Sequence, residues 1–213
     1  ESRYRGQHAP IIERAVFDAV CRQLENNRSH RRSGTNAKVP SLLTGLLFDE
    51  NGARLCPTHA TKKGQRYRYY ISKRLMHRAD PGDSGWRLPA SEIERAVIGT
   101  IAAFLRDAAR VIDALSLDAA PGHLRRMLDR ATSVAALLEN DQATDRRPLL
   151  LQLIARARLE EQALRLELSR VGLLQAIQQD GTPTVAEGTV SLIAPMQLRR
   201  RGVEAKLVIG TAS

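Results

Sequence analysis

The chain has 213 residues, carries 33 Lys+Arg against 23 Asp+Glu, and is 43% hydrophobic but only 4% aromatic. That apolar fraction excludes a disordered chain, and no apolar run reaches the roughly 18 residues of a membrane span. Two cysteines exclude a disulfide framework and fit a reducing, cytoplasmic setting, while the opening Glu1-Ser2-Arg3 reads as the start of an excised piece of a longer chain.

The charge is lopsided. Residues 1–78 hold 16 Lys+Arg against 6 Asp+Glu, an excess of ten, and residues 79–213 hold 17 of each. A block of one sign projects a field toward a partner, and a polyphosphate is the partner that gains most from it, because each neutralised phosphate releases condensed counterions. The competing reading is a solvated basic face without a ligand.

Residues 8–26 read as a helix. Pro10 suits its first turn, and Ile12, Val16, Ala19, Val20 and Leu24 recur at helical spacing. Asn26 to Asn36 has no apolar residue and reads as an extended basic connector, with Arg28, Arg31 and Arg32 placed to track a groove or backbone. From Ser41 the period changes. Ser41 to Phe48 is a short apolar run that ends at Asp49-Glu50-Asn51-Gly52, a hairpin signal. A second strand is expected from Ala53 to about Ala60, with Pro57 forcing an edge or a bulge. After a turn at Lys62-Lys63-Gly64-Gln65 comes a third strand, residues 66–72. Alternation places Tyr67, Tyr69 and Ile71 on one face and Arg66, Arg68 and Tyr70 on the other. Tyr67 and Tyr69 are read as core, and Tyr70 as free to stack or touch sugar.

Residues 78–87 read as a loop. Ser91 to Glu94 has the form of a capping box that opens a helix with Ile93, Val97, Ile101, Phe104, Leu105 and Ala108 on its apolar stripe. Residues 121–140 form the next helix, from Pro121, with Met127, Ala131, Val134, Ala135 and Leu138 on one face. A further helix is expected from Asp145 to about Gln179, because Leu150, Ala157, Leu164 and Val171 recur every seven residues, with Glu161 a charged interruption. The pair would make an antiparallel helical hairpin, either an exposed arm or a layer folded back on the core. Thr189 to Ile193 and Glu204 to Ile209 read as strands around a cationic turn at Gln197 to Gly202. The fold class is therefore α+β: a small antiparallel ribbon with flanking helices and a long coiled-coil hairpin.

Cys56-Pro57-Thr58-His59 has ligand-like spacing. A structural zinc needs four ligands, and neither Cys21 nor His77 completes a second pair. No metal and no cofactor are expected. The chain also lacks a glycine-rich phosphate loop, a carboxylate cluster in its basic third and a Ser/His/Asp context, so no active site is expected.

The run PIIERAVFDAVCRQLENNR, then GTNAK, SLLTGLLFDENGARL, RYRYYISKRL and WRLPASEIERAVIGTIAAFL, resembles the C-terminal half of large serine recombinases, best over residues 10–105. The resemblance implies four parts. Residues 1–36 would be the helix and basic connector that end the recombinase domain, and 37–110 a zinc-ribbon-like β domain with its packing helix. Residues 111–183 would be a coiled-coil arm, and 184–213 strands that return to pair with the ribbon. The sequence departs from the family at the zinc knuckle. Asp49-Glu50-Asn51-Gly52 replaces the first Cys-x-x-Cys, and Ser72 stands where a later cysteine is expected. The ribbon would be metal-free, held by its turns and by Leu43, Leu46, Tyr67, Tyr69 and the helix at 92–110.

By the same resemblance the catalytic serine lies in a domain outside this chain. The chain would bind double-stranded DNA at a recombination site and meet other recombinase subunits through its arm, without cutting DNA. The residues expected on DNA are Arg28, Arg31, Arg32, Lys38, Lys62, Lys63, Arg66, Arg68, Lys73 and Arg74. An alternative is a protein-interaction module with an incidental basic surface, for which dimerisation lost on Leu164→Glu would be diagnostic. Single-stranded RNA binding through Tyr70 is a third reading, weakened by the low aromatic content.

Overall fold

The structure is a computed structural model that describes residues 13–20, 41–76, 85–117, 119–160, 162–178, 188–201 and 204–209. The chain divides into two compact units, Glu1–Lys38 and Val39–Ser213. In the first, residues 14–20 are helical (α1), with Arg14 and Asp18 paired one turn apart and Val16, Phe17 and Val20 exposed.

The second unit is α+β. Its elements in order are β1 (Leu47–Phe48), β2 (Leu55–Lys62), β3 (Gln65–Ser72), β4 (Arg87–Pro89), α2 (Ala90–Arg106), α3 (Ala108–Leu115), α4 (Pro121–Glu139), α5 (Arg146–Leu153), β5 (Ile154–Leu159), β6 (Ala163–Ser169), α6 (Arg170–Ile177), β7 (Thr189–Arg201) and β8 (Glu204–Ile209). They build two sheets. One is three-stranded and antiparallel, in the order β2-β3-β4. The other is five-stranded, in the order β1-β5-β6-β7-β8, with only the β1–β5 pair parallel.

The β2–β3 ribbon forms where the turn chemistry places it. Lys63 and Gly64 both have positive φ, 51° and 75°, the two-residue turn whose twist suits a hairpin. Pro57 lies on β2, an edge strand, where a missing N–H is tolerated. The upstream hairpin signal is realised more weakly. Residues 42–46 are turns rather than strand, and the Asn51-Gly52 turn closes on a single bridge, Phe48 to Arg54.

The expected helix at 92–110 is two helices. The Asp107 side chain accepts from the Arg110 N–H, and that cap starts α3 after α2 has ended. Helix α4 matches its expected stripe, burying Met127, Ala131, Val134, Ala135 and Leu138. It packs against α2, with Arg106 forked onto Glu139 at its end, and against α5 and α6.

The thirty-residue helix expected over 145–179 does not form, and with it the coiled-coil arm at 111–183 is corrected. The segment is α5, the β5–β6 hairpin and α6. Leu164, Leu166 and Leu168 alternate strictly with Arg165 and Glu167, a period of two that buries every leucine on one sheet face. The heptad residues Leu150, Ala157 and Leu164 are all buried, but in one shared core of sheet and helices. Glu161 lies outside the described residues. Helix α6 then folds back over α5. The Ser169 hydroxyl caps it on the Gly172 N–H, and Gly172 lies so close to Gln152 that an added Cβ would sit 2.0 Å from that carbonyl oxygen.

The returning strands are also corrected. They pair with β6 and with each other rather than with the ribbon, and Gln197 to Arg201, expected as a turn, continues β7. The first half of β7 pairs with β6 and the second half with β8, so the strand needs its full length. Among the described residues, no helix is long and apolar enough to cross a membrane.

Candidate nucleic-acid interface

The ribbon is built on a parity rule. Leu55, Pro57, His59 and Thr61 of β2 share a face with Ser72, Tyr70, Arg68 and Arg66 of β3. At the ribbon's root this face is core: Leu55 and Tyr70 are fully buried and Ser72 nearly so. Toward the tip it opens to solvent at Arg66. The opposite face carries Tyr67, Tyr69 and Ile71. Tyr67 is 40% exposed, and the Arg87 guanidinium of β4 lies 4.4 Å from the Tyr69 ring centroid. The tyrosine assignment is thus reversed. Tyr70 fills the core and Tyr67 faces solvent, because Tyr70 has the parity of Leu55.

Tyr70 reaches the core with a hydroxyl to satisfy. It accepts from the Leu43 N–H at 2.8 Å and donates to Glu94 Oε1 at 2.8 Å. Glu94 Oε1 also accepts from the Leu42 N–H at 2.8 Å, and the Arg68 guanidinium forks onto both carboxylate oxygens at 3.3 and 3.2 Å. Glu94 is therefore no capping-box residue. Helix α2 begins at Ala90 without a side-chain cap, and Ser91 lies inside it. Glu94 is buried and faces the ribbon, joining α2, β3 and the turn before β1 at one carboxylate. Arg147 of α5 closes the same turn, donating to the carbonyls of Ser41, Leu42 and Thr44. Burial pushes the Tyr70 phenol far above its ordinary value, and the Glu94 charge adds to that. Burial pulls the Arg147 guanidinium down, with Tyr70 and Glu94 opposing.

The turn at the resemblance's knuckle position is held by a carboxylate. Asp49 is buried, and its Oδ1 accepts from the Asn51 and Ala53 N–H groups at 3.0 and 2.8 Å. Ser72, at the expected cysteine position, accepts from the Trp86 N–H through its hydroxyl at 2.9 Å. Cys56 and His59 are three residues apart on β2, so they fall on opposite faces and are not placed to bind one metal ion. Among the described residues, no three His, Cys, Asp or Glu side chains gather as metal ligands.

The expected DNA-contact residues divide three ways. Lys62, Lys63 and Arg66 are exposed at the ribbon tip, Lys62 and Arg66 on opposite faces, and Lys73 is exposed at the start of a 3-10 helix, Lys73–Met76. Arg68 is only 25% exposed and is engaged by Glu94. Arg28, Arg31, Arg32 and Lys38 lie outside the described residues, as does the side chain of Arg74. The role of Glu94 was hidden from sequence reasoning because its partners lie 24 to 52 residues away.

No family model matches this chain, and no curated protein matches it. Among solved structures it is similar to a chain of "Crystal Structure of a LSR-DNA Complex" (LSR, large serine recombinase), at 20% identity and a TM-score of 0.34. The match covers 76% of this chain and 62% of that one, so the chain spans less than two thirds of its neighbour's length.

Proposed function

We propose that this chain is a DNA-binding portion of a site-specific serine recombinase and that it holds double-stranded DNA through the tip of the β2–β3 ribbon. The observation that carries the reading is that Lys62, Lys63 and Arg66 are all exposed around the tip of a two-stranded ribbon, an element that a major groove admits. Lys63 adds to it. Its positive φ suits Asn or Gly better, so the turn accepts a strained residue that puts an ammonium at the apex. Arg68 has a different part: it fixes the ribbon to α2 through Glu94 and leaves the phosphates to its neighbours.

Fluorescence anisotropy of the full chain on a duplex, across a salt series, tests this. Log affinity should fall linearly with log salt. Lys62→Ala/Lys63→Ala/Arg66→Ala should lower that slope by about 3 while the melting temperature stays put. An unchanged slope in the triple variant would rule the ribbon tip out. The same reading gives the chain no part in strand cleavage, so a supercoiled plasmid incubated with it should stay unnicked.

A further inference from the structure

The outer face of the five-stranded sheet carries a second set of cations, most of them outside the basic first third of the chain. It is assembled by an irregularity. Strand β5 opens with a bulge between Ile154 and Arg156, which shifts the alternation by one residue. Ile154, Ala157 and Leu159 turn inward and are buried, while Ala155 and Arg156 are both exposed and Arg158 lies half-buried on the outer face. Arg165 of β6 is in register with Arg158. On the other side, Phe48 of β1 is in register with Arg158 and also bridges Arg54.

Phe48 is the centre of this surface. The Arg54 guanidinium lies 5.5 Å from its ring centroid and that of Arg156 lies 5.1 Å away. One half-buried ring thus holds two arginines more than a hundred residues apart in sequence, both exposed. Carboxylates border the surface: Glu160, which Arg165 engages at 2.9 Å, Glu167, opposite Arg156, and Asp49 and Glu50 in the turn between Phe48 and Arg54. Among the described residues Arg54 and Arg156 are in no ion pair, so the two guanidinium groups on Phe48 keep their charge for a partner. The Nε of Arg158 is enclosed with no hydrogen-bond acceptor.

The surface is also continuous with the ribbon. Arg54 precedes β2 with the parity of Cys56, Thr58, Ala60 and Lys62, so the outer sheet face is joined through the Phe48–Arg54 bridge to the half-buried ribbon face that ends at exposed Lys62. Eight extended residues, about 26 Å, separate Arg54 from Lys62. That is within the ~34 Å of one duplex turn.

We propose that the outer face of the five-stranded sheet, with Arg54 and Arg156 held on Phe48 beside Arg158, is a second phosphate-backbone contact for the duplex held by the ribbon tip. The proposal rests on the ribbon reading and extends its footprint. Arginine suits this face, because its planar fork binds phosphate with two donors and stacks on an aromatic ring without losing its charge.

The full chain is titrated with duplex over a salt series as wild type, as Arg156→Ala/Arg158→Ala, and as the ribbon-tip triple variant. The sheet-face double should bind about tenfold more weakly, with a salt slope lower by about 2. If the triple variant loses affinity and the double keeps both affinity and slope, the sheet face is overturned and the ribbon stands. If the wild type shows no salt-dependent duplex binding, the ribbon reading falls instead. Phenylglyoxal labelling of the wild-type chain, read by mass spectrometry, needs no folded variant. Saturating duplex should protect Arg156 and Arg158; labelling equal with and without duplex overturns the proposal. Protection by a polyglutamate chain in place of the duplex would also overturn it, in favour of an acidic protein partner.

Discussion

The two sheets are stabilised in opposite ways. The five-stranded sheet buries a continuous leucine face, Leu159, Leu164, Leu166, Leu168 and Leu192, beneath α2, α5 and α6, so area removed from water holds it. The ribbon has little apolar surface to bury beyond its root. At the root Leu55 and Tyr70 enter the core, and directional contacts fix them there: the Tyr70 hydroxyl, the Glu94 carboxylate, the Arg68 fork and the Ser72 hydroxyl. An apolar face tolerates small losses by repacking. A polar junction fails sharply when one partner is deleted, because the others are left desolvated and unpaired.

Replacing the junction's shared acceptor should show this contrast at its largest. Glu94→Ala leaves the Leu42 N–H, the Tyr70 hydroxyl and the Arg68 guanidinium without their acceptor, and denaturant unfolding should report a loss of about 3 kcal/mol. A loss below about 1 kcal/mol would mean that water enters the junction freely. On the apolar side, Gly172→Ala forces α6 away from the Gln152 carbonyl and should cost about 2 kcal/mol, measured in the same way. The smallest effect is a slope. The Tyr70 phenol is raised in the folded state, so above the ordinary tyrosine value near 10 the unfolded chain ionises first and stability falls as pH rises. Below that pH the contribution is fully present. Tyr70→Phe should remove up to about 1.4 kcal/mol per pH unit of this alkaline decline, seen as the difference between the two unfolding curves above pH 10.

The ribbon was largely legible in the sequence, because its determinants are local. Lys63-Gly64 supplies the turn, Pro57 marks an edge, and RYRYYIS alternates. What could not be read was which face points inward. That depends on the parity of Leu55 and on a carboxylate 24 residues from Tyr70. The sheet at 154–169 was misread for a geometric reason. Leu164 and Leu168 are four residues apart, a spacing that suits both a helix face and a strand face. Leu166 decides between them, since two residues turn a helix by about 200° and would carry it to the far side. Counting it would have favoured the strand. The Phe48 cluster had no sequence signal at all, because its arginines meet only after β1 pairs with β5.

The junction at Glu94 has a mechanical consequence. From the turn at Lys63 to Tyr70 the ribbon runs about 20 Å as a lever, anchored where Leu55 and Tyr70 enter the core, β3 pairs with β4 and Glu94 of α2 gathers the Tyr70 hydroxyl and the Arg68 guanidinium. A load applied at the tip is delivered to the helix layer through the buried Leu55 and Tyr70 side chains and the bonds gathered at Glu94. Tip and helix layer are thereby coupled through one short stretch of β3.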